Sequence, residues 1–573
     1  MTLKYAFSLL IIWGLIRALP AAQAATWQTA ADGNWDEAAN WDALPVAGSP
    51  ANLTPNAVSY TVTYRQDDGI AALGTLLVTN AANKTTTLNV SAAGLAVGAI
   101  VITNAAINIS SGGVMTNSGG ASGSGSFTIN GGSYSQGGGS FNNVASGGIT
   151  LNMNSGSFSI GGAGNLRPLI NMTGGSVTVA ATVSELLQTT AISGGTYTNL
   201  GTGDFRGSSY TISGTADVRY DKFSILGNMQ TMRVDGGNFT IANDSFVLGV
   251  NGLTGTKTLS FIQTAGAVSM AHANGLIIGK ATQNGADSLY KYDLSGGTLN
   301  LEKITLAAAT HTGLGTNAFI MSGGTLNLGS GGIITGGGAG TKYVELSGGT
   351  IGAQADWSST LPMVLNSGTT TFRAAHTDTT AHNITLNGVL SGSGALTKTG
   401  TGTLTLSGAS AYGGGTTVSN GTLIVNGSIT GAVTVATGVL GGTGVLAGSV
   451  TNSAQGIITA AATNSIGTLT VTNLVVQENS NYLCNFYDAT SNDLINVSGV
   501  LTLPNVATVT VSRITGSTAA IPGTVTLFTA PAISNATAGS SWVVYGAYST
   551  SRVKVVGNQV NLVAPSGWVM SVQ

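Results

Sequence analysis

The sequence concentrates its material for catalysis in two places. His376 and His382 bracket Asp378 in the run HTDTTAHN, and a loop folding these three together would make a small metal site. That run is rich in Thr, reads as an exposed connection and supplies three loosely spaced ligands without a fourth, so a solvated loop is expected instead. The other histidines are His272 and His311. The second place is the densest ionisable segment, Asp204 to Asp235, which contains Arg206, Asp217, Arg219, Asp221, Lys222 and Arg233. Carboxylates and a basic residue facing one another across adjacent turns of a repeat protein can abstract or donate protons on a polysaccharide. Nothing fixes the separation of these carboxylates, and Tyr210, Tyr220 and Phe223 are the aromatic candidates for a subsite beside them. Surface pairing of opposite charges, each pair worth little, is the expectation.

No HExxH pair, GxSxG elbow, P-loop, cysteine pair or Asp-rich calcium nonapeptide occurs. The sequence therefore nominates no catalytic, cofactor-binding or metal residue, calls for no cofactor, and reads as a non-enzyme.

Composition narrows the partners. Charged residues make up 7% of the chain, against ~25% in an ordinary globular protein. A net charge of −2 with no basic cluster offers nothing to a phosphate backbone, so nucleic acid is excluded, and anionic membranes are disfavoured by the same argument. Residues 1–24 have the three parts of a secretory signal: Lys4, an apolar run from Ala6 to Leu19, and Ala22-Gln23-Ala24 before the cut. No later stretch is apolar enough to span a bilayer as a helix. Cys484 is the single cysteine, so stability must come from burial and backbone hydrogen bonds, with Cys484 itself in a core strand. Although 85 residues are Gly, 42% are hydrophobic, more than a disordered chain carries.

The elements that would position any site follow from a repeat. The unit apolar-x-Gly-Gly-Ser/Thr-apolar recurs as INGGSY (129–134), MTGGSV (172–177), ISGGTY (192–197), LSGGTL (294–299), MSGGTL (321–326) and LSGGTI (346–351), with VDGGNF (234–239) as a variant. Its marker glycines, or their equivalents, are spaced by 24, 19, 20, 42, 29, 31, 27 and 25 residues, the 42 being two turns with a partial copy at Ser213-Gly214. Apolar residues alternate on either side, as in Tyr292 and Leu294 before Gly296-Gly297 and Leu299 and Leu301 after it. This pattern predicts two short half-buried strands meeting at a glycine corner. One such coil cannot bury its own apolar face, so coils must stack at ~4.8 Å and share a core. The expected fold is all-β, a right-handed parallel β-helix (β-solenoid) of roughly twenty coils, with outward Thr, Ser and Asn forming ladders that need no charge.

From about Asn383 the register changes. The run GALTKTGTGTLTLSGASAYGGGTTVSNGTL, Gly394 to Leu423, resembles the autotransporter-associated β-strand repeat of Gram-negative passenger regions, with Lys398, Gly400, Thr403, Leu404, Leu406, Tyr412, Thr416, Val418, Gly421 and Leu423 at pattern positions. It departs at Ser410, where the family usually has Asn. The resemblance implies a parallel β-helix displayed outside the cell, usually without catalysis, in which Lys398 and Tyr412 are repeat positions and not site residues. The residues after Val500 are too few for the translocating β-barrel such proteins normally carry.

The resulting organisation is a signal peptide (1–24), an N-terminal Trp-rich cap (25–60), a β-solenoid with glycine corners (61–382), the autotransporter-associated repeat region (383–440) and a C-terminal solenoid end and cap (441–573). The cap reading rests on Trp27, Trp35 and Trp41, for which a glycan-stacking platform is the functional alternative. The chain is expected to be an exported, extracellular or cell-surface structural or adhesive protein. A glycan-binding module and a polysaccharide-cleaving β-helix enzyme are the alternatives. The partners it points to are extracellular glycans or cell-envelope components, with self-association through exposed strand edges.

Overall fold

The computed structural model describes residues 23–564, apart from residue 30 and the segments 55–57, 66–71, 82–83, 92–93, 143–147, 208, 226–228, 250–255, 257, 281–287, 463, 488–490, 515–522, 536–540 and 547–548. The segment read as a secretory signal lies largely outside the described residues. The fold is an all-β parallel β-helix, and among the described residues no helix is long and apolar enough to cross a membrane. The chain forms two compact units, Met1–Asp221 and Lys222–Gln573.

In the first unit the strands Thr86–Val90, Leu95–Ser110, Ala121–Gln136, Ile149–Ile160 and Leu169–Met172 pair in parallel, each with the next. The register stacks Leu88, Ile107, Phe127, Leu151 and Ile170 in one column. A second column runs Val90, Ile109, Ile129, Met153, Met172, Ile192 and Ile212. All of these side chains are buried, each worth ~1.5–3 kcal/mol of transfer free energy when fully enclosed. The strand Ser209–Ile212, paired with Thr190–Ile192, is the coil that the degenerate copy at Ser213-Gly214 implied.

The second unit uses the same device. Met232, Phe261, Tyr292, Phe319 and Val344 occupy one column through five parallel strands, and the Phe261 and Tyr292 rings stack 4.6 Å apart. A further parallel sheet runs from Trp357–Ser359 to Val543–Gly546. Its inward column reads Trp357, Ile384, Leu404, Leu423, Leu440, Ile458, Tyr482, Val509 and Val544, all buried. Near the end parallel pairing gives way: Gln559–Val563 runs antiparallel to both Thr524–Thr529 and Arg552–Val556.

The glycine corners explain the repeat. Gly297, Gly324 and Gly349 all have φ between 72° and 81°. A Cβ on Gly324 would stand 2.8 Å from the carbonyl oxygen of Gly297, and one on Gly349 2.7 Å from that of Gly324. Each corner therefore needs glycine twice over, once for the left-handed backbone and once because the next coil sits directly upon it.

Candidate functional site

The charged segment resolves into local pairs. In the first unit Arg206 lies 3.8 Å from Asp204, while Asp217 and Arg219 are exposed and alternate with buried Val218 and Tyr220. In the second unit Lys222 pairs with Asp244 at 2.9 Å, and Arg233 grips Asp235 through Nε and Nη2 at 3.0 and 2.9 Å. Tyr210, Tyr220 and Phe223, the aromatic candidates for a sugar subsite, are all fully buried. Their parity along the strands turns them inward, so none offers a ring to a sugar.

The histidine triplet is also separated. His376 Nδ1 faces Asp378 at 3.1 Å within its own turn, but His382 turns to Asp356 at 3.4 Å. Backbone and side-chain amides of Asn383 hold the Asp356 carboxyl below its ordinary range, with His382 adding to the effect. Among the described residues no group of three His, Cys, Asp or Glu converges as a metal site would. Trp27, Trp35 and Trp41 pack edge to face at 5.2 and 4.9 Å, and Trp41 Nε1 donates to the Trp35 carbonyl at 2.8 Å. All three are buried, which removes them as a stacking platform.

Sequence reasoning missed two buried carboxylates. Glu185, on Val183–Leu187, is 1% exposed. Its Oε1 accepts from Tyr197 Oη and its Oε2 from Asn199 Nδ2 at 2.5 Å. Tyr210 and Tyr220 lie beside it with their hydroxyls 3.2 Å apart. Burial pushes Glu185 up to about 7, with Asp204 adding to the rise and hydrogen bonds from Tyr197, Asn199 and Tyr220 opposing it. A carboxyl titrating there would suit a general acid or base. Sealed inside a coil, it cannot reach a substrate proton.

The second is Asp493, also buried. It accepts from Gly467 N (3.1 Å), Asn485 N (2.9 Å), Asn485 Nδ2 (2.8 Å) and Thr459 Oγ1 (3.1 Å). Burial pushes it up to about 6 against those donors. Cys484, in the core strand Asn481–Phe486, has its thiol driven far up by burial and by the Asp493 charge, and is an inert packing residue.

The stretch around Lys398 is a third buried polar cluster, built on a cation. Lys398, on Ala395–Thr399, is completely buried, and its three ammonium protons go to the carbonyls of Thr399 (2.9 Å), Gly400 (2.8 Å) and Asn420 (3.0 Å). Burial brings the ammonium down to about 8. Gly421 leaves the room: a Cβ there would stand 2.7 Å from Nζ. Tyr412 is buried with its hydroxyl 2.6 Å from Thr416 Oγ1, and Ser410 Oγ accepts from Leu390 N at 3.2 Å. The register Leu396↔Thr416 and Leu404↔Leu423 makes this one coil laid on the next, tied by an internal cation. Lys398→Met keeps the apolar stem and takes the ammonium donor from the Gly400 and Asn420 carbonyls, while the Thr399 carbonyl keeps the Ala374 N–H. It should cost about 2 kcal/mol, read as faster hydrogen exchange across residues 395–425; unchanged exchange would show the ammonium to be dispensable.

The passenger-associated transport repeat model matches residues 396–425, the segment these contacts organise. No curated protein matches the chain. The repeat implies an exported or cell-surface protein. With the parallel stack on either side of it, the repeat makes this chain similar to the passenger regions of autotransporters.

Proposed function

We propose that the protein is an exported surface component whose β-helix serves a structural or adhesive role without catalysis. The observation that carries this is the passenger repeat itself: Lys398 and Tyr412, its most chemically capable side chains, are both consumed by internal hydrogen bonds. The half-exposed ion pairs point the same way, because paired surface charges are the ordinary furniture of a solvated face. We assign residues 25–60 to a Trp-rich cap, 61–382 and 383–440 to successive solenoid regions and 441–573 to the closing end, with residues 1–24 as the export signal.

Protease shaving of intact cells that produce the tagged protein tests the location. Cleavage without lysis is expected, and a protein protected until lysis would overturn the reading. Incubation with pectin and alginate tests the chemistry: no new chain ends should appear. Turnover lost in Asp217→Asn or Asp221→Asn would make the chain a polysaccharide-cleaving enzyme instead.

A further inference from the structure

The first unit carries an uncharged amide and hydroxyl lattice on one outward face. The strands Thr86–Val90, Leu95–Ser110, Ala121–Gln136, Ile149–Ile160 and Leu169–Met172 contain no Asp, Glu, Lys or Arg. Their outward register aligns Asn89, Asn108, Thr128, Asn152 and Asn171 in one column. Side chains bond directly at three of its four steps: Asn108 Nδ2 to Asn89 Oδ1 at 3.1 Å, Asn152 Nδ2 to Thr128 Oγ1 at 3.4 Å, and Asn171 Nδ2 to Asn152 Oδ1 at 3.1 Å. A second column beside it bonds Asn154 Nδ2 to Asn130 Oδ1 at 2.6 Å and Thr173 Oγ1 to Asn154 Oδ1 at 3.2 Å. All of these residues are half-exposed or exposed.

An amide has two donors and two acceptor lone pairs. The ladder uses one donor and one acceptor of the half-exposed Asn152, which leaves it a second N–H and lone pair, in columns spaced ~4.8 Å along the stack and ~6.6 Å along each strand. The ladder also fixes the side-chain rotamers before any partner arrives, which lowers the entropy cost of binding. Without charge the face cannot select an ionic partner. A second copy of the same face would have to match donors to acceptors in strict register or bury them unpaired, at ~1–3 kcal/mol each. A sugar hydroxyl rotates and is both donor and acceptor, so it satisfies either group.

We propose that this Asn/Thr lattice is a docking surface for an uncharged, hydroxyl-rich polysaccharide laid along the coils. This rests on the adhesive reading above and names its partner class. The test is retention of the mature protein on microcrystalline cellulose, chitin and curdlan powders, with alginate beads as the acidic control, at low and at 1 M salt. Expected is salt-insensitive retention on at least one neutral solid and none on alginate. Asn152→Ala/Asn171→Ala should lower retention at least tenfold while hydrogen exchange of the inward strands stays as in the parent. Ser159→Ala/Thr178→Ala, on the neighbouring face of the same unit, should leave retention unchanged. The proposal falls if no neutral solid retains the protein, if salt abolishes retention, or if both double variants lose it equally. It also falls if sedimentation shows a dimer that the Asn152→Ala/Asn171→Ala variant dissolves, since the occupant is then a second copy. Shaving of intact cells reports on location independently, so loss of polymer binding by a surface-exposed protein overturns this docking site and leaves the surface role standing.

Discussion

Gly324→Ala should open the corner between two coils and cost about 3 to 5 kcal/mol locally, far more than an alanine usually costs. Two terms add. Holding a non-glycine residue at φ +72° costs ~1–3 kcal/mol. The new methyl would also lie 2.8 Å from the Gly297 oxygen and 2.9 Å from the Gly296 carbonyl carbon, both backbone atoms with no rotamer in which to retreat. Relief requires the two coils to part, which breaks the parallel pairing of Thr298–Leu306 with Thr325–Thr335. Gly337→Ala separates the terms: its φ is +84°, but nothing lies within 4 Å of its Cβ position, so only the conformational cost applies. Coils in a stack open locally, so the readout is amide exchange in residues 298–306 and 325–335, which should accelerate strongly in the first variant and weakly in the second. Equal effects would mean that backbone conformation alone, and not coil-on-coil contact, demands the glycine.

The same physics decides which parts of the fold are legible in the sequence. A corner glycine announces itself locally, because its neighbours alternate apolar and polar on both sides, as Tyr292, Leu294, Leu299 and Leu301 do; all four are buried. The expectation of uncharged outward ladders rests on the same alternation, and the Asn152–Asn171 bond fulfils it. What a residue meets in the next coil is harder to read, because the loops between corners vary in length and the register across them is a property of the stack. Glu185 shares the inward parity of Val183, and Asn199 that of Tyr197, so the pattern marks them as polar residues pointing inward. That they point at each other appears only once Glu185–Leu187 is laid beside Gly203–Phe205 and the strand Thr196–Phe205 brings Tyr197 and Asn199 to the carboxyl. The tryptophan cluster was visible as a cluster, yet only the Trp41–Trp35 hydrogen bond and edge-to-face packing decide between a buried knot and a binding platform. At Ser410 the departure from the family pattern is harmless because the serine oxygen supplies the acceptor that Leu390 N requires.

Glu185→Gln should make the first unit more stable at pH 8 and give no gain at pH 4.5. The folded carboxyl titrates at about 7 and the unfolded one near 4.5, so the sign is set by the protonated form being the one the fold prefers. Below pH 4.5 both states hold the proton and the site contributes its full stability. Between 4.5 and 7 the unfolded chain releases the proton while the folded chain keeps it, so stability falls as pH rises, by ~1.4 kcal/mol per unit. Above 7 both are ionised and a penalty of about 3 kcal/mol remains. Glutamine removes the titration but loses one acceptor, worth ~1 kcal/mol, among Tyr197, Asn199 and Tyr220, which leaves a gain of about 2 kcal/mol at pH 8. Asp493→Asn is the contrasting case. Its carboxyl also rises, to about 6, but it accepts four donors, so an amide would turn a donor toward Gly467 N, Asn485 or Thr459 and lose stability at every pH. Denaturant or exchange measurements from pH 4 to 9 should therefore show a flattened profile for Glu185→Gln. A parent protein whose first unit gains stability from pH 4.5 to 7 would mean that Glu185 is ionised in the fold and that a cation or water reaches it.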